Sequence, residues 1–290
     1  MTRFALLMMR LLHGLPVPLL RAVGAALGAL LYLLAPARRR VARINIAACF
    51  PDLDGAARAR LVRAVFTCFA QSVVDRAVLW HGSPQRIREF VLLEGEEHLH
   101  AHLGKPLIIL APHFAGMEAG GTRMSIDRHM MTLFAHQKNP DFNRALYAGR
   151  SRFNDGVMVS RQDGMRKTLR ELAKGTPFYY LPDMDLGARD AVFVPFFGIP
   201  AATVTSLSRL ARITGARVLP CVTRMSPNGY VATLHPAWEN YPSASLEEDT
   251  LRMNQFIEQQ VRAMPAQYHW LHKRFKTRPP GEPPFYRRQA

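Results

Sequence analysis

The chain has 290 residues, ample for a continuous core in one large α/β domain, and nothing along it marks a linker. Its 38 lysines and arginines against 22 acidic residues give +16, a balance that calls for an anionic partner, either nucleic acid or anionic lipid. Cys49, Cys68 and Cys221 are odd in number, far apart and set among apolar residues, which speaks against a zinc site or a disulfide framework and for a reducing compartment.

Phe4–Leu34 is almost continuously apolar, broken by Arg10, His13 and Arg21. Its uncharged part, Ala22–Ala37, falls slightly short of the roughly 20 residues a spanning helix needs. Either Pro18–Leu34 spans a membrane, or the whole stretch lies in the interface with Arg10 and Arg21 among the headgroups. Arg38, Arg39, Arg40 and Arg43 follow at once, as expected on the cytoplasmic side. Residues 1–40 thus read as a membrane anchor helix, and residues 41–290 as one domain facing the cytoplasm. Ala35 and Ala37 resemble a signal-peptide cleavage site, against which Arg10 and Arg21 count; a buried core helix is the other alternative.

From Val41 to Arg88 the apolar spacing is helical and reads as packing, without chemistry, with a turn and cap at Asp52–Gly55. Phe90–Leu93 reads as a strand. Glu94–His102 reads as a helix whose His98, His100 and His102 point to different faces and so do not make a metal site. Leu107–Leu110 is short, branched and apolar, as a strand buried on both faces should be, and Pro112 ends it. His113 then sits at the strand end and Glu118 on the first turns of the next helix, where the two can meet. Imidazole takes a proton near neutral pH, and a carboxylate on its other nitrogen fixes the tautomer, so such a dyad activates a hydroxyl. A surface or capping pair is the plainer alternative.

Met130–Ala135 is the next strand, ending at His136–Asn139, and the helix Pro140–Arg152 carries Arg144, Arg150 and Arg152. Strand Val157–Val159, then Arg161, helix Met165–Lys174 and strand Phe178–Leu181 lead to Asp183 and Asp185. An Asp-x-Asp at a strand end also suits a divalent cation in a glycosyltransferase. Val192–Phe197 reads as a strand closed by Gly198 and Pro200, and Thr203 or Thr205 starts a helix to Thr214. Strands Arg217–Val222 and Tyr230–Leu234 flank the hairpin signal Ser226–Gly229. The alternation means an open, mixed but mostly parallel sheet flanked by helices. After the helix Leu246–Met264, the cations Lys273, Arg274, Lys276 and Arg278 interleave with Trp270 and Phe275, a pattern suited to anionic headgroups. It would also suit single-stranded nucleic acid, but the apolar N-terminus makes a nucleic-acid partner unexpected.

The segment HFAGME, His113–Glu118, resembles the His-x4-Asp/Glu motif of glycerolipid-type acyltransferases. Together with Pro182–Pro220 and Gln267–Glu282 it resembles the lipid A late acyltransferase family, the lauroyl and myristoyl transferases of lipopolysaccharide biosynthesis, over nearly the whole chain. The resemblance implies a glycerolipid-acyltransferase-like α/β fold and an inner-membrane enzyme on the cytoplasmic face. It would pass an acyl chain from acyl-acyl carrier protein to the hydroxyl of a 3-hydroxyacyl chain on a lipid A precursor, with no cofactor and no metal. His113 and Glu118 would be the base and its helper. Arg150 and Arg152, which resemble the second motif, would steady the oxyanion, and Asp183 would be the further acidic catalytic residue, pairing with an arginine or stabilising the catalytic loop. Arg161, Asp185, Lys273, Arg274, Lys276 and Arg278 would bind substrate, and anionic membrane lipids would be partners. Many members carry a bulky aromatic where this chain has Met117, which bears on chain and acceptor preference. The alternatives are a lysophospholipid or other lipid acceptor, a metal-dependent glycosyltransferase on Asp183 and Asp185, and a non-enzymatic protein that binds anionic lipid.

Overall fold

The computed structural model describes residues 2–160 and 165–287. Four helices open the chain: α1 (Thr2–Leu12), α2 (Val17–Leu34), α3 (Pro36–Cys49) and the long α4 (Gly55–His81). The Asp54 carboxylate caps α4, accepting from the Ala57 N–H at 2.6 Å. α2 is long and apolar enough to cross a membrane, yet it lies along α4. The approach needs glycine, because a Cβ at Gly28 would fall 2.8 Å from the Thr67 Cα. Arg21 of α2 pairs with the buried Asp75 of α4 at 2.5 Å, and its guanidinium also donates to the Gly229 carbonyl at 2.9 Å. Tyr230 donates to the same carboxylate. The boundary expected at residue 40 falls inside α3, which continues to Cys49.

After α5 (Pro84–Phe90) the chain alternates: β1 (Val91–Glu94), α6 (Glu96–His100), β2 (Leu107–Leu110), α7 (Met117–Ser125), β3 (Met131–Phe134), α8 (Pro140–Arg150), β4 (Val157–Ser160), α9 (Met165–Ala173) and β5 (Phe178–Tyr180). A hairpin, β6 (Ala191–Phe196) and β7 (Ile199–Val204), precedes α10 (Ser206–Thr214), β8 (Arg217–Ser226), β9 (Gly229–Leu234) and α11 (Leu246–Ala263). Seven strands form one sheet in the order β1-β9-β8-β2-β5-β3-β4. The run from β8 to β4 is parallel, and β9 turns antiparallel against β8. This is the mixed, mostly parallel sheet flanked by helices that the alternation predicts. β2 is central and fully buried, with Ile108 and Leu110 in one core and Leu107 and Ile109 in the other.

One expected helix start moves. Thr203 belongs to β7, paired with Val192, because Phe197 and Gly198 both take positive φ (53° and 72°) and turn the chain back on itself. The helix begins only at Ser206, with Thr205 in the cap position. Pro195 and Pro200 face each other in this two-stranded ribbon, where a missing N–H costs least.

Candidate active site

β2 and β5 run side by side, with Leu110 opposite Tyr180. His113 and Asp183 each stand three residues past those paired positions, so parallel register brings both to the same end of the sheet. His113 Nδ1 lies 2.6 Å from Asp183 Oδ1, and the His113 backbone N–H donates to Oδ2 at 3.0 Å. Burial works to raise the Asp183 pKa, but the His113 charge and its hydrogen bonds outweigh burial and hold the carboxyl down at about 2. An ionised carboxylate can only accept, so Nδ1 carries the proton and Nε2 is the basic nitrogen.

The segment after α11 clamps the loop that bears His113. The Ala115 N–H donates to the Gln267 carbonyl at 2.8 Å, the His269 N–H donates to the His113 carbonyl at 3.1 Å, and Phe114 bridges Tyr268. The His269 ring stands 6.4 Å from the His113 ring, centroid to centroid. Burial, followed by the His113 charge, lowers His269 to about 3 and His272 to about 4, so both are neutral at neutral pH. On the other side, α7 packs on β8 through Gly120, where a Cβ would fall 2.2 Å from Thr223 Oγ1.

Glu118 is not the carboxylate on His113. From the first turn of α7 it reaches the last turn of α8, where it accepts from Arg150 Nε at 3.1 Å and Nη2 at 2.6 Å, and from Trp80 Nε1 at 3.4 Å. Burial works to raise its pKa, but Arg150 first and then Arg76 hold Glu118 at about 2. The expected His113–Glu118 contact is therefore replaced by two pairs, His113 with Asp183 and Glu118 with Arg150. A guanidinium fork outcompetes a single imidazole N–H for the Glu118 oxygens, and the neighbouring strand end supplies Asp183 in its place.

The other expected residues divide. Arg152 is exposed, with its guanidinium 4.7 Å over the Phe153 ring and a long 3.5 Å contact to the Leu79 carbonyl. Arg161 lies outside the described residues. Asp185 accepts from the Thr277 N–H at 2.7 Å, Thr277 Oγ1 at 2.8 Å and the Gly187 N–H at 3.0 Å, so it locks the C-terminal segment rather than facing a ligand. With Asp183 committed to His113, the Asp-x-Asp does not converge on one cation position. Arg274 is buried beneath Phe196, donating to the Ala202 carbonyl at 3.0 Å and Thr203 Oγ1 at 2.8 Å, which corrects its expected grip on headgroups. Arg278 donates to the Pro200 carbonyl at 2.9 Å and pairs with Glu282. Trp270 and Phe275 are core residues; of that cluster's four cations, Lys273 and Lys276 are exposed.

Arg76 and Trp80, on the helix that reads as packing alone, are the site neighbours that sequence reasoning missed. The one signal was the Asp75–Arg76 pair of charges inside the apolar run from Val73 to Trp80.

These shifts set an acid dependence. The Glu118 and Asp183 pKa values are depressed from 4.5 and 3.8, so their stabilisation is complete above those values and is lost as pH falls towards about 2. His269 and His272, depressed from 6.5, stay neutral in the fold while the unfolded chain takes protons, so stability falls from pH 6.5 downward. Denaturant midpoints measured from pH 7 to pH 3 should drop continuously, and Glu118→Gln should flatten the part below pH 4.5. A midpoint independent of pH across that range would contradict these couplings.

A cavity of about 600 Å³ opens beside the pair, lined by His113 and by apolar residues including Met117, Met130, Leu146, Met158 and Leu181. That volume is in the range of ligand pockets, and its lining suits a hydrocarbon chain. Its polar lining includes His113, Glu118, Arg150 and Arg76. An imidazole held by a buried carboxylate beside an apolar cavity, at the strand ends of this α/β sheet, is a site of the kind an acyltransferase needs. Residues 1–277 match the family described as Bacterial lipid A biosynthesis acyltransferase, and the chain is a member of that family.

The curated relatives agree. The lipid A biosynthesis palmitoleoyltransferase of Escherichia coli (strain K12) is 30% identical over 99% of this chain and 94% of its own length. The lauroyltransferase of the same organism is 30% identical over 94% and 90%, and its myristoyltransferase 31% over 91% and 83%. Among solved structures, the 1-acyl-sn-glycerophosphate acyltransferase PlsC from Thermotoga maritima aligns with 84% of this chain and 98% of its own. The TM-score is 0.42 and the identity 14%.

Proposed function

We propose that the chain moves a fatty acyl group from the thioester of acyl carrier protein to the hydroxyl of a 3-hydroxyacyl chain on a lipid A precursor. The observation that carries this reading is the His113–Asp183 pair on the wall of the apolar cavity. His113 Nε2 takes the hydroxyl proton, the freed oxygen attacks the thioester carbon, and the imidazolium returns the proton to the leaving sulfur. Asp183 orients the ring and stabilises its charged form. Glu118, in the same lining, assists by fixing Arg150 and balancing its charge. A net charge of +16 favours the approach of an acidic carrier protein and of phosphorylated lipid, with Lys273 and Lys276 among the cations free to meet them.

Acyl transfer in detergent from labelled acyl carrier protein, with the tetraacylated lipid A precursor and a lysophospholipid offered side by side, tests the acceptor. Label is expected on the lipid A precursor. Label on the lysophospholipid alone would leave the chemistry intact and remove the lipid A assignment.

The same reading places the enzyme at the cytoplasmic face of the inner membrane. α1 and α2 leave Phe4, Leu7, Leu11, Leu19, Leu33 and Leu34 exposed, while Arg21 and Gly28 tie α2 to the body. A helix held along its length by the domain lies in the interface beside that domain rather than crossing alone. Protease added to inside-out membrane vesicles should therefore remove both an N-terminal and a C-terminal epitope. Protection of the N-terminal one would favour a spanning helix.

A further inference from the structure

Charge must develop on the thioester carbonyl oxygen when the hydroxyl attacks, and a preorganised cation or donor has to receive it. Arg150 and Arg152 were the expected candidates. Arg150 directs both Nε and Nη2 at Glu118, and Arg152 lies exposed over Phe153. Arg150 already has its charge paired with a carboxylate, and Arg152 would have to swing away from Phe153 to reach the site.

Arg76 is differently placed. It lines the 600 Å³ cavity and also a smaller one of about 120 Å³ between α4 and the clamp segment, and in both it shares the wall with His113, Met117, Glu118 and His269. Its Nε is buried without a hydrogen-bond partner, and among the described residues its guanidinium forms no ion pair; its contact is the Trp80 ring at 5.6 Å. Asp75, the adjacent carboxylate, is held by Arg21 and Tyr230. Glu118, the carboxylate they share, is a single negative charge between two guanidiniums and is already bound bidentately by Arg150. The Arg76 guanidinium is thus left without a carboxylate of its own at the wall of the cavity. A buried, unpaired guanidinium is costly, and a fold retains one where an anion is to arrive.

We propose that Arg76 is a catalytic residue that donates to the carbonyl oxygen of the thioester as it becomes an oxyanion. The inference rests on the acyl-transfer reading above. As the acceptor oxygen bonds to the carbonyl carbon, its proton passes to His113 Nε2 and the carbonyl π pair moves onto oxygen, against Arg76. The pair then reforms the carbonyl, the carbon–sulfur bond breaks, and the thiolate takes the proton from the imidazolium.

The test is steady-state transfer from labelled acyl carrier protein to the lipid A precursor by wild type, Arg76→Met, Arg76→Lys and Arg76→Ala. Arg76→Met should lose about 10²–10³ in kcat, the scale of a missing oxyanion donor, with KM for donor and acceptor within about twofold. Arg76→Lys, which keeps the charge but not the fork, should lie between, and added guanidinium ion should restore part of the Arg76→Ala rate. An unchanged kcat in Arg76→Met, or a loss confined to KM, overturns the proposal, as does a folded Arg76→Ala that guanidinium leaves inactive. Should Arg76→Met not fold, Arg76→Lys decides by the same split. A wild type that transfers nothing from the thioester would instead remove the functional reading on which the proposal rests.

Discussion

His113→Ala should lower kcat for acyl transfer by about 10² to 10⁴, the range general-base catalysis supplies, and should also lower the melting temperature, because the buried Asp183 carboxylate loses its partner. The loss of stability comes from the unpaired carboxylate and not from packing, because the imidazole is partly exposed to the cavity and its removal opens no hole in the core. The loop it sits on is held by backbone bonds from Ala115 and His269, which the substitution does not touch. KM for either substrate should change little, since the hydroxyl proton is transferred only in the transition state. Initial rates at saturating donor and acceptor check this, together with a thermal melt. Activity within tenfold of wild type would mean that another group accepts the proton.

Asp183→Asn should cost on the order of 10³ to 10⁴ in kcat, although the side chain keeps its size and is removed from the reacting atoms. The buried amide can present its NH₂ group to Nδ1, which turns the imidazole to the tautomer with its proton on Nε2, the nitrogen that must be empty. The carboxylate also receives the His113 backbone N–H, so the amide cannot satisfy both groups with one oxygen. Some loss of stability therefore accompanies the loss of rate, because a charge-assisted contact in a site that is 1% exposed is replaced by a neutral one. Arginine at Glu118's side of the cavity cannot compensate, since Arg150 is oriented by Glu118 and not by Asp183.

Much of the fold was legible because its signals are local. Leu107–Leu110 reads as a strand buried on both faces, and each of its side chains is fully buried on one side or the other of the sheet. The turn at Ser226–Gly229 and the alternation of strands and helices gave the mixed sheet in the same way. β7 was missed because its pairing depends on positive φ at Phe197 as well as Gly198, and a phenylalanine in that conformation carries no sequence signal.

The candidate site was legible in its residues and not in its pairings. His113, Asp183, Glu118 and Arg150 all stand at the site, but spacing along the chain joined His113 to Glu118, whereas parallel register joins it to Asp183, 70 positions away. Register is a property of the whole sheet and is visible only if strand ends are compared. The C-terminal cations show the reverse error. Arg274 and Arg278 look like a basic surface in one dimension, but backbone carbonyls of β7 and neighbouring residues take up their donors. Arg76 escaped notice because helical spacing assigns a face to a residue and says nothing of what lies beyond it.

The most direct test of the His113–Asp183 unit is a double-mutant cycle in single-turnover acyl transfer, comparing His113→Ala, Asp183→Asn and the two combined. If Asp183 acts through His113, the double variant loses no more than His113→Ala alone, because a carboxylate without its imidazole has nothing to orient. Losses that multiply, or an Asp183→Asn enzyme as fast as wild type, would show that the two residues act independently and would contradict the account.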